Sequence, residues 1–441
     1  MIMTDVSTML QRIKDDKVKF IRLQFSDIQG QIKNVAIPEA QAEKAMTDGI
    51  SFDGSSIEGF ARIEESDMVL KPDLETYAVL PWRKDIVAAR FICDVYMPDG
   101  TPFEGDPRYI LKKVLKEAAD MGYTFNTGPE LEFFLFKMID GKPSTEFKDQ
   151  GGYFDLAPTD LAEDVRRDIV LALTDMGFDV EASHHEVAQS QHEIDFKYGD
   201  ALKMADNVIT FRFVAKTIAL LNNLNATFMA KPVFGINGSG MHTNCSLSKN
   251  GENAFYDPDT PLQLSDVAMH FIAGVLSHSK SITRIANPTI NSYKRLVPGY
   301  EAPVYISWSA SNRTALIRVP APRGKSTRVE LRSPDPTCNP YLTFAAILAA
   351  GLEGMKKEMQ PPAGAKQNIF ALSEEERNLA HIDTLPGDLI TANKYFMEDE
   401  LLCNLFGKHV VSGIDDLARI EWDNFRTTVH PWEVEQYLSR Y

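Results

Sequence analysis

Two carboxylates lie two residues apart in one predicted strand of this chain. Glu130 and Glu132 belong to the run GPELEFFLF, where large apolar residues flank them. Since successive side chains of a strand point to opposite faces, the two carboxylates share one face. Such a pair alone is typical of a solvated strand edge. Beside further acids and histidines, it predicts a site for a divalent cation.

Further acids and histidines follow in the segment HHEVAQSQHE, a predicted loop that leads into a strand. Glu186 and Glu193 add two carboxylates, and His184 and His192 add imidazoles. Hard oxygen ligands of this kind suit Mg²⁺ or Mn²⁺. The segment lacks the HExxH spacing of zinc proteases. We expect the histidines to pack or to hydrogen-bond to ligands rather than to bind the metal themselves.

Arginines are concentrated between residues 295 and 332 of an otherwise acidic chain. Guanidinium groups bind carboxylates and phosphates through two parallel hydrogen bonds. Glu330 stands between Arg328 and Arg332 on one face of a predicted strand. A surface ladder of salt bridges would have this pattern, but beside the acidic pairs it favours a site for an anionic, metal-bridged substrate. The five arginines are Arg295, Arg313, Arg318, Arg328 and Arg332.

A glycine-rich turn, NGSGMH, runs from Asn237 to His242. Because glycine lacks a Cβ atom, a ligand can approach the backbone closely there. The turn is neither GxGxxG nor a P-loop, and Gly324-Lys325-Ser326 lacks the first glycine of a P-loop. The sequence therefore predicts that any bound nucleotide is held in another way.

The composition of the chain argues against several classes of protein. Of 441 residues, 46 are Lys or Arg and 62 are Asp or Glu, giving a net charge of −16, which argues against nucleic-acid binding. The hydrophobic content of 44% predicts a large core in about two or three domains. The longest apolar run, residues 344–352, is about half of a membrane span. With no signal peptide and four dispersed cysteines, we expect a cytoplasmic protein with reduced thiols.

The elements that must position these residues fall into two parts. The first hundred residues predict a small α+β unit, in which Asp53 lies in the polar loop FDGSSIEGF. Taken alone, that loop is typical of a surface turn. A turn-rich stretch at 98–107 marks the boundary, and longer helices and strands follow it. The predicted N-terminal elements are a helix over 4–15 capped by Thr4, a hairpin around 26–30, a helix over 38–49, and strands at 68–70, 77–80 and 87–96.

Seven segments together resemble the glutamine synthetase family of bacterial type I, in its alpha subgroup from low-GC Gram-positive bacteria. The similarity runs from about residue 15 to the end. The segments are FDGSSIEGF, GPELEFFLF, HHEVAQSQHE, NGSGMH, NSYKRLVPGYEAP, NRTALIR and RVELRSPDPTCNPYL.

The resemblance implies an α+β fold. Residues 1–103 would form a β-grasp domain, and residues 104–441 a catalytic domain with a curved antiparallel sheet covered by helices. It also implies dodecamers of two hexameric rings, with active sites between subunits. The implied reaction is the ATP-dependent ligation of ammonia to L-glutamate through γ-glutamyl phosphate, with two Mg²⁺ or Mn²⁺ ions in each site.

The resemblance also implies a role for each residue that matches a family motif. Around the metal nearer the substrate it places Glu132, Glu186 and Glu193, and around the nucleotide-side metal Glu130, His242 and Glu330. For glutamate it implies Asn237, Gly238, Arg295, Glu301 and Arg332. For ATP it implies Glu181, Tyr198, Asn244, Ser246, Arg313, Arg318 and Arg328. The implied catalytic residues are Asp53 as the base for ammonium, Glu301 on a mobile flap, Arg313 and Arg332.

The chain departs from its relatives at several positions. Gln189-Ser190 stands where relatives often carry a glycine, so the loop path is open there, and Asn244 replaces a histidine found in some members. Phe370 stands where adenylylated relatives have tyrosine, so adenylylation at that position is excluded. Arg62 matches an arginine tied to glutamine feedback inhibition, although a surface cation beside Glu64 and Glu65 would look the same.

Two alternatives remain open at this point. Ligases that join glutamate to polyamines or ethanolamine share the metal and ATP motifs, although Asp53 favours ammonium. A regulatory relative without catalysis is disfavoured because all six implied metal ligands are present. Relatives in this subgroup bind nitrogen-response transcription regulators, so regulation and catalysis can coexist. We expect no direct contact with nucleic acid or membrane.

Overall fold

Two separate β-sheets organise the chain. The computed structural model describes residues 5–55, 57, 67–83, 85–300, 302–365, 368–380 and 382–441. One sheet of five strands belongs to the N-terminal part, and the other, of eleven strands, to the rest of the chain. Most of the apolar core packs against the larger sheet, and a second cluster fills the smaller part.

The smaller sheet has the strand order β2-β1-β5-β4-β3. Its central strands β1 and β5 are parallel, whereas its other neighbours are antiparallel. This is the expected β-grasp arrangement, and the fold prediction is confirmed. The elements are α1 (Val6–Asp15), β1 (Phe20–Ser26), β2 (Ile32–Pro38), α2 (Ala42–Thr47), β3 (Ile50–Asp53), β4 (Asp67–Val79) and β5 (Ala88–Tyr96).

Two predicted details of this part were wrong. Helix α1 is capped by Asp5, whose Oδ1 accepts a hydrogen bond from the Thr8 backbone N–H at 2.7 Å. The predicted cap, Thr4, lies outside the described residues. The strands predicted at 68–70 and 77–80 are one strand, β4, because its pairing with β5 resumes after a register shift between Asp73 and Ala78.

The larger part continues with eleven strands and eleven helices among the described residues. None of these helices combines the length and the apolar character needed to cross a membrane. The strands are β6 (Thr124–Ile139), β7 (Lys142–Phe147), β8 (Val180–His185), β9 (Gln191–Phe196), β10 (Gly199–Asp200), β11 (Leu224–Thr227), β12 (Met241–Lys249), β13 (Glu252–Asn253), β14 (Trp308–Ser309), β15 (Ile317–Arg318) and β16 (Val329–Leu331). The helices are α3 (Pro107–Asp120), α4 (Glu163–Asp175), α5 (Ala201–Leu221), α6 (Asp266–Ser277), α7 (Ser279–Ala286), α8 (Ser292–Arg295), α9 (Pro340–Lys356), α10 (Glu374–Leu379), α11 (Leu389–Met397), α12 (Glu400–Thr427) and α13 (Pro431–Tyr437).

The register of the larger sheet places side chains of different strands side by side. Its main order is β14-β15-β16-β12-β6-β9-β8, and its neighbours are antiparallel except β14 and β15. His242 of β12 is paired with Glu130 of β6, and Glu132 of β6 with Glu193 of β9. Cross-strand partners share a face of the sheet. The register therefore gathers three glutamates and a histidine from three strands on one face.

The opposite face of β6 belongs to the core. Leu131 and Phe133 alternate with the two glutamates and are fully buried. They belong to the same cluster as the apolar helices α5 and α9, which are buried along most of their length. Burying large apolar side chains on one face stabilises the strand that presents the carboxylates on the other.

One buried arginine ties the two parts together. Arg108, near the start of α3, contacts Asp73 and Asp94 of the smaller sheet at 2.7 Å and Asp206 of α5 at 2.9 Å. A buried guanidinium needs such partners, since an unpaired buried charge is strongly destabilising. The domain boundary at residue 103 stays a prediction.

A histidine joins three helices on another side of the core. His278 follows α6, and its Nδ1 lies 2.7 Å from Asp399 Oδ2 at the N-cap of α12. Its Nε2 lies 2.8 Å from Glu353 Oε2 on α9. Burial lowers the pKa of His278, but the hydrogen bonds to these carboxylates outweigh it and raise the pKa above its usual value. The fold therefore stabilises the imidazolium.

We expect His278→Gln to lower the free energy of unfolding by about 2 kcal/mol at about pH 5.5 and by much less at about pH 9. The raised pKa of His278 stabilises the folded protein. This stabilisation is complete below the pKa of the unfolded state, about 6.5, and is lost as the pH rises through the pKa of the folded state. Urea unfolding of both proteins at both pH values measures this. The control is His270→Gln, because the His270 ring faces the neutral Gln360 amide rather than a carboxylate. An equal loss at both pH values would contradict the assignment.

Candidate functional site

Three neighbouring strands bring together Glu130, His242 and Glu330. One potential ligand atom of each lies within 4.8 Å of the others. His242 Nδ1 is 3.6 Å from Glu130 Oε2 and 3.8 Å from Glu330 Oε1. Burial, followed by the charge of Arg332, holds the pKa of His242 well below its usual range. The imidazole is therefore neutral, which is the form that binds metals.

A second acidic cluster contains Glu132, Glu186 and Glu193. His184 joins two of them, since its Nε2 lies 3.2 Å from Glu193 Oε1 and its Nδ1 3.6 Å from Glu186 Oε1. Burial, and then repulsion from Glu186, raises the pKa of Glu132 to about 8. Burial and repulsion from Glu132 raise the pKa of Glu193 to about 11. A divalent cation would offset this repulsion, so the donor set fits Mg²⁺ or Mn²⁺.

Two residues of strand β9 belong to this site but were missed in the sequence. Gln191 Nε2 donates to Glu132 Oε2 at 3.1 Å and to the Gly238 carbonyl at 3.0 Å. Asp195 groups with His184 and Glu193, and burial raises its pKa to about 7. Both stand two residues from Glu193, so the alternation of side chains along a strand was the signal that could have found them.

Ser190 anchors the loop between β8 and β9 through hydrogen bonds to residues 148 and 149. This residue is fully buried and adopts a φ of 60°, in the left-handed region. Its hydroxyl accepts hydrogen bonds from the backbone N–H groups of Lys148 at 2.7 Å and Asp149 at 3.2 Å. Its own N–H donates to Asp149 Oδ1 at 2.9 Å. The backbone at Gln189-Ser190, where the sequence departs from its relatives, therefore forms a tight turn. Hydrogen bonds anchor this turn to residues 148 and 149.

A buried group of acids and histidines lies behind this loop and already contains a cation. Its members are Asp149, Asp160, His185 and His192. The Arg166 guanidinium forms an ion pair with Asp160 and approaches His192 Nδ1 to 2.9 Å. Because a guanidinium neutralises the cluster, it supports the loop rather than offering a metal site.

A small pocket of about 30 Å³ lies beside the second cluster. Arg295 is anchored by the backbone, since its Nη1 donates to the Ser333 carbonyl at 2.7 Å. Arg332 Nε is buried and lacks a hydrogen-bond partner among the described residues. A Cβ atom at Gly238 would collide with the Ala230 carbonyl, so glycine is required there. The lining residues are Glu132, Glu186, Gln191, Asn237, Gly238, His242, Arg295, Tyr300, Ala302 and Arg332.

A larger cavity of about 260 Å³ lies beside the first cluster. Asn244 connects the two, because its Nδ2 donates to Glu130 Oε1 at 2.8 Å and its Oδ1 accepts from Arg328 Nε at 2.9 Å. The cavity is lined by five of the residues predicted to contact ATP. These are Glu181, Tyr198, Asn244, Ser246 and Arg328.

Glu330 belongs to the first cluster and also contacts two of the arginines. Arg318 Nη1 lies 2.7 Å from Glu330 Oε2, and Arg332 pairs with Glu330 Oε1. Arg313 is exposed in the turn before β15. The Glu330 carboxylate holds the guanidinium groups of Arg318 and Arg332 close to each other. Their two positive charges therefore lie together, where they can bind an anionic ligand.

Three predicted residues are not brought to this site by the described contacts. Asp53 ends β3, and among the described residues its hydrogen bonds are to Ser55, from N–H at 2.9 Å and from Oγ at 2.6 Å. These bonds hold the pKa of Asp53 below its usual value. Glu301 and Arg62 lie outside the described residues.

Comparisons with known proteins agree on one family. The models for "Glutamine synthetase, beta-Grasp domain" and "Glutamine synthetase, catalytic domain" match residues 17–98 and 104–437. A glutamine synthetase of Clostridium saccharobutylicum is 58% identical over 97% of both chains. A solved structure of a GmaS/ADP complex has a TM-score of 0.90 at 31% identity, over 99% of this chain and all of that one. A glutamine synthetase structure from Plasmodium falciparum has a TM-score of 0.88 at 27% identity, over 98% and 99%.

Proposed function

Because the chain belongs to the glutamine synthetase family, we propose that the two acidic clusters, the cavity and the small pocket form one active site. The chain is a glutamate–ammonia ligase, which joins ammonia to glutamate at the expense of ATP. The observation that carries the assignment is the pairing of Glu130 with His242 and of Glu132 with Glu193 across neighbouring strands. This register sets the two acidic clusters side by side, which supports two neighbouring cation sites.

We assign two divalent ions to the site. Glu130, His242 and Glu330 would hold the ion beside the cavity, and Glu132, Glu186 and Glu193 the ion beside the pocket. When bound, such ions neutralise the charge of the phosphoryl group that is transferred. The crowding that raises the pKa values of Glu132 and Glu193 supports this, because two buried carboxylates without a cation destabilise each other.

The cavity and the small pocket would then bind different substrates. The cavity lined by Tyr198, Asn244 and Arg328 suits ATP, and the similarity to a GmaS/ADP complex supports a nucleotide in this fold. The pocket with Arg295 and Arg332 suits the carboxylates of glutamate, since guanidinium groups bind them with two hydrogen bonds. The γ-carboxylate would then lie next to the metal side of the pocket, facing the terminal phosphate. We assign Glu181 and Ser246 to ATP contacts, Asn237 and Gly238 to glutamate contacts, and Arg313 and Arg318 to the phosphates.

Asp53 and Glu301 complete the proposed chemistry. Asp53 would take the proton from ammonium, and Glu301 would help to cover γ-glutamyl phosphate. The small domain presents Asp53 without a metal cluster among its described residues, whereas the large domain presents both clusters. This division supports an active site shared between neighbouring subunits of a dodecamer of two hexameric rings. The cytoplasm as its compartment, feedback by glutamine through Arg62, and binding of transcription regulators are part of the same proposal.

Mixing two inactive variants tests the shared site. We expect Asp53→Ala and Arg332→Ala subunits to be inactive alone and to recover activity in mixed rings. Each contribution is intact in half of the subunits, so about one quarter of the sites would be complete after random assembly. Glutamine formation is measured on mixed rings whose composition is confirmed by mass.

The control mixes Asp53→Ala with the double variant Asp53→Ala/Arg332→Ala. No neighbour in that mixture can supply an intact Asp53, so activity should stay absent. If the first mixture is equally inactive, each subunit builds its site alone or the two roles are assigned wrongly. Offering putrescine and ethanolamine in place of ammonium, with ADP release as the readout, checks the choice of amine.

A further inference from the structure

Two segments that carry residues of the small pocket meet at Lys231. This lysine follows β11 and is only 7% exposed. Its backbone N–H donates to Asn291 Oδ1 at 2.8 Å, and Asn291 Nδ2 donates back to its carbonyl at 2.9 Å. Asn291 directly precedes α8, which ends at Arg295. The lysine backbone therefore holds the start of the helix that carries Arg295.

The side chain of Lys231 reaches two further parts of the same pocket. Its Nζ donates to the Ile236 carbonyl, directly before Asn237. The same Nζ lies 3.7 Å from the centre of the Tyr300 ring. Tyr300 and Asn237 both line the pocket, whereas Lys231 does not. The ammonium group thus links the glycine-rich loop to the ring of Tyr300.

The Tyr300 ring is a cation–π partner of the Lys231 ammonium group. Within the ranges that the structure describes, no carboxylate forms an ion pair with Lys231. Burial, and then the nearby charge of Arg295, lowers the pKa of its ammonium group. A cation over an aromatic face gains more when water is excluded than at an exposed site. The attraction between Nζ and the ring therefore acts at a buried position, where it contributes more than it would at the surface.

We propose that Lys231 is a positioning residue for glutamate, which holds Tyr300, the loop of Asn237 and the helix of Arg295 as one unit around the substrate. This inference rests on the proposed function, which assigns the pocket to glutamate. Because Tyr300 lines the pocket, the same anchor also fixes part of the wall that separates the bound substrate from water. Loss of these contacts of Lys231 both weakens glutamate binding and lets water enter the pocket.

The test is Lys231→Met, which keeps the length and apolar stem of the side chain but removes its charge and donors. We expect KM for glutamate to rise about tenfold while KM for ATP changes less than about twofold. We also expect more ADP to be released than glutamine formed. Water that reaches γ-glutamyl phosphate in place of ammonia cleaves it to glutamate and phosphate, so ATP is consumed without product.

Two further variants separate this role from a general loss of stability. Lys231→Arg keeps a cation and donors over the ring, so it should restore most of the coupling between ADP and glutamine. Lys71→Met is the matched control, because Lys71 Nζ lies 4.6 Å from the Tyr96 ring, outside the pocket. It should leave both KM values and the coupling unchanged.

A double variant tests whether Lys231 acts through Tyr300. Tyr300→Leu removes the ring, so adding Lys231→Met to it should raise KM for glutamate far less than in the wild type. Fully additive effects on KM would overturn the proposal. A fall in kcat alone, with unchanged KM for glutamate and unchanged coupling, would overturn it as well.

Arg295→Lys distinguishes failure of this proposal from failure of the assigned pocket. If this variant leaves KM for glutamate unchanged, the pocket does not bind glutamate and the proposed function is wrong. If it raises KM for glutamate while Lys231→Met behaves as the wild type, the pocket is right and the role of Lys231 is wrong. Thermal unfolding of each purified oligomer shows that the compared variants are folded.

Discussion

Replacing Glu330 with glutamine will lower the rate of glutamine formation about a hundredfold or more, and the remaining activity will require a higher Mg²⁺ concentration. Glu330 is 2% exposed and lies between His242, Arg318 and Arg332. A neutral amide removes the charge that a hard cation requires. It also leaves two guanidinium groups without their shared carboxylate, so the nucleotide-side ion faces added repulsion. ADP release measured across a Mg²⁺ titration reports both effects.

The control for this substitution is Glu146→Gln. Glu146 also pairs with a cation, Lys137, but both side chains are about half exposed, and such pairs contribute little. We expect its rate and metal requirement to equal those of the wild type. Circular dichroism and oligomer mass confirm that Glu330→Gln is folded. If that folded variant showed the wild-type rate and Mg²⁺ requirement, Glu330 would not be a metal ligand.

Replacing Asp53 with alanine will lower glutamine synthesis at limiting ammonium by about a hundredfold or more, while ATP still binds. In the described structure Asp53 is fully exposed, and the Ser55 hydroxyl and N–H hold its pKa low, so it is a carboxylate at neutral pH. Such a group attracts ammonium. Contact with a neighbouring subunit would remove it from water, which raises the pKa of a carboxylate and makes it a better base.

Asp99→Ala is a closely matched control for this substitution. Asp99 accepts hydrogen bonds from Thr101 N–H at 2.9 Å and Thr101 Oγ1 at 2.6 Å, as Asp53 does from Ser55. Both carboxylates are exposed in the small domain, Asp53 at the end of β3 and Asp99 in the turn after β5. Only the variant at Asp53 should lose synthesis, whereas ATP binding, measured by calorimetry, should persist in both. Equal activities of the two variants would refute the role of Asp53 as the base.

The sequence predicted which face of β6 carries Glu130 and Glu132, but not the residues of other strands that lie next to them. Glu130 and Glu132 share a face because of local alternation, which can be read from a few residues. That His242 lies opposite Glu130 depends on the register between two strands far apart in the chain, and no local pattern encodes it. The same rule of alternation applies to Gln191 and Asp195, which stand two residues from Glu193 on β9.

Long-range ion pairs and strand continuity could not be predicted in the same way. Arg108 pairs with carboxylates that are 14, 35 and 98 residues away, so its role as a link between the smaller sheet and α5 follows from tertiary packing alone. The sequence predicted two strands, at 68–70 and 77–80, on either side of Asp73. The long strand β4 instead passes through it by a register shift.

The register between β6 and β12 also bears on how the chain folds. Glu130 and His242 are roughly a hundred residues apart, and contacts of such separation form late and slowly. A slip by one residue would turn His242 to the core side of the sheet and leave Glu130 without its partner. Such a chain would gain nothing from the divalent ion, whereas a correctly paired chain would be stabilised by mass action. Strand register and metal affinity would therefore be coupled, because binding of a divalent ion would favour the paired register over the slipped one at equilibrium.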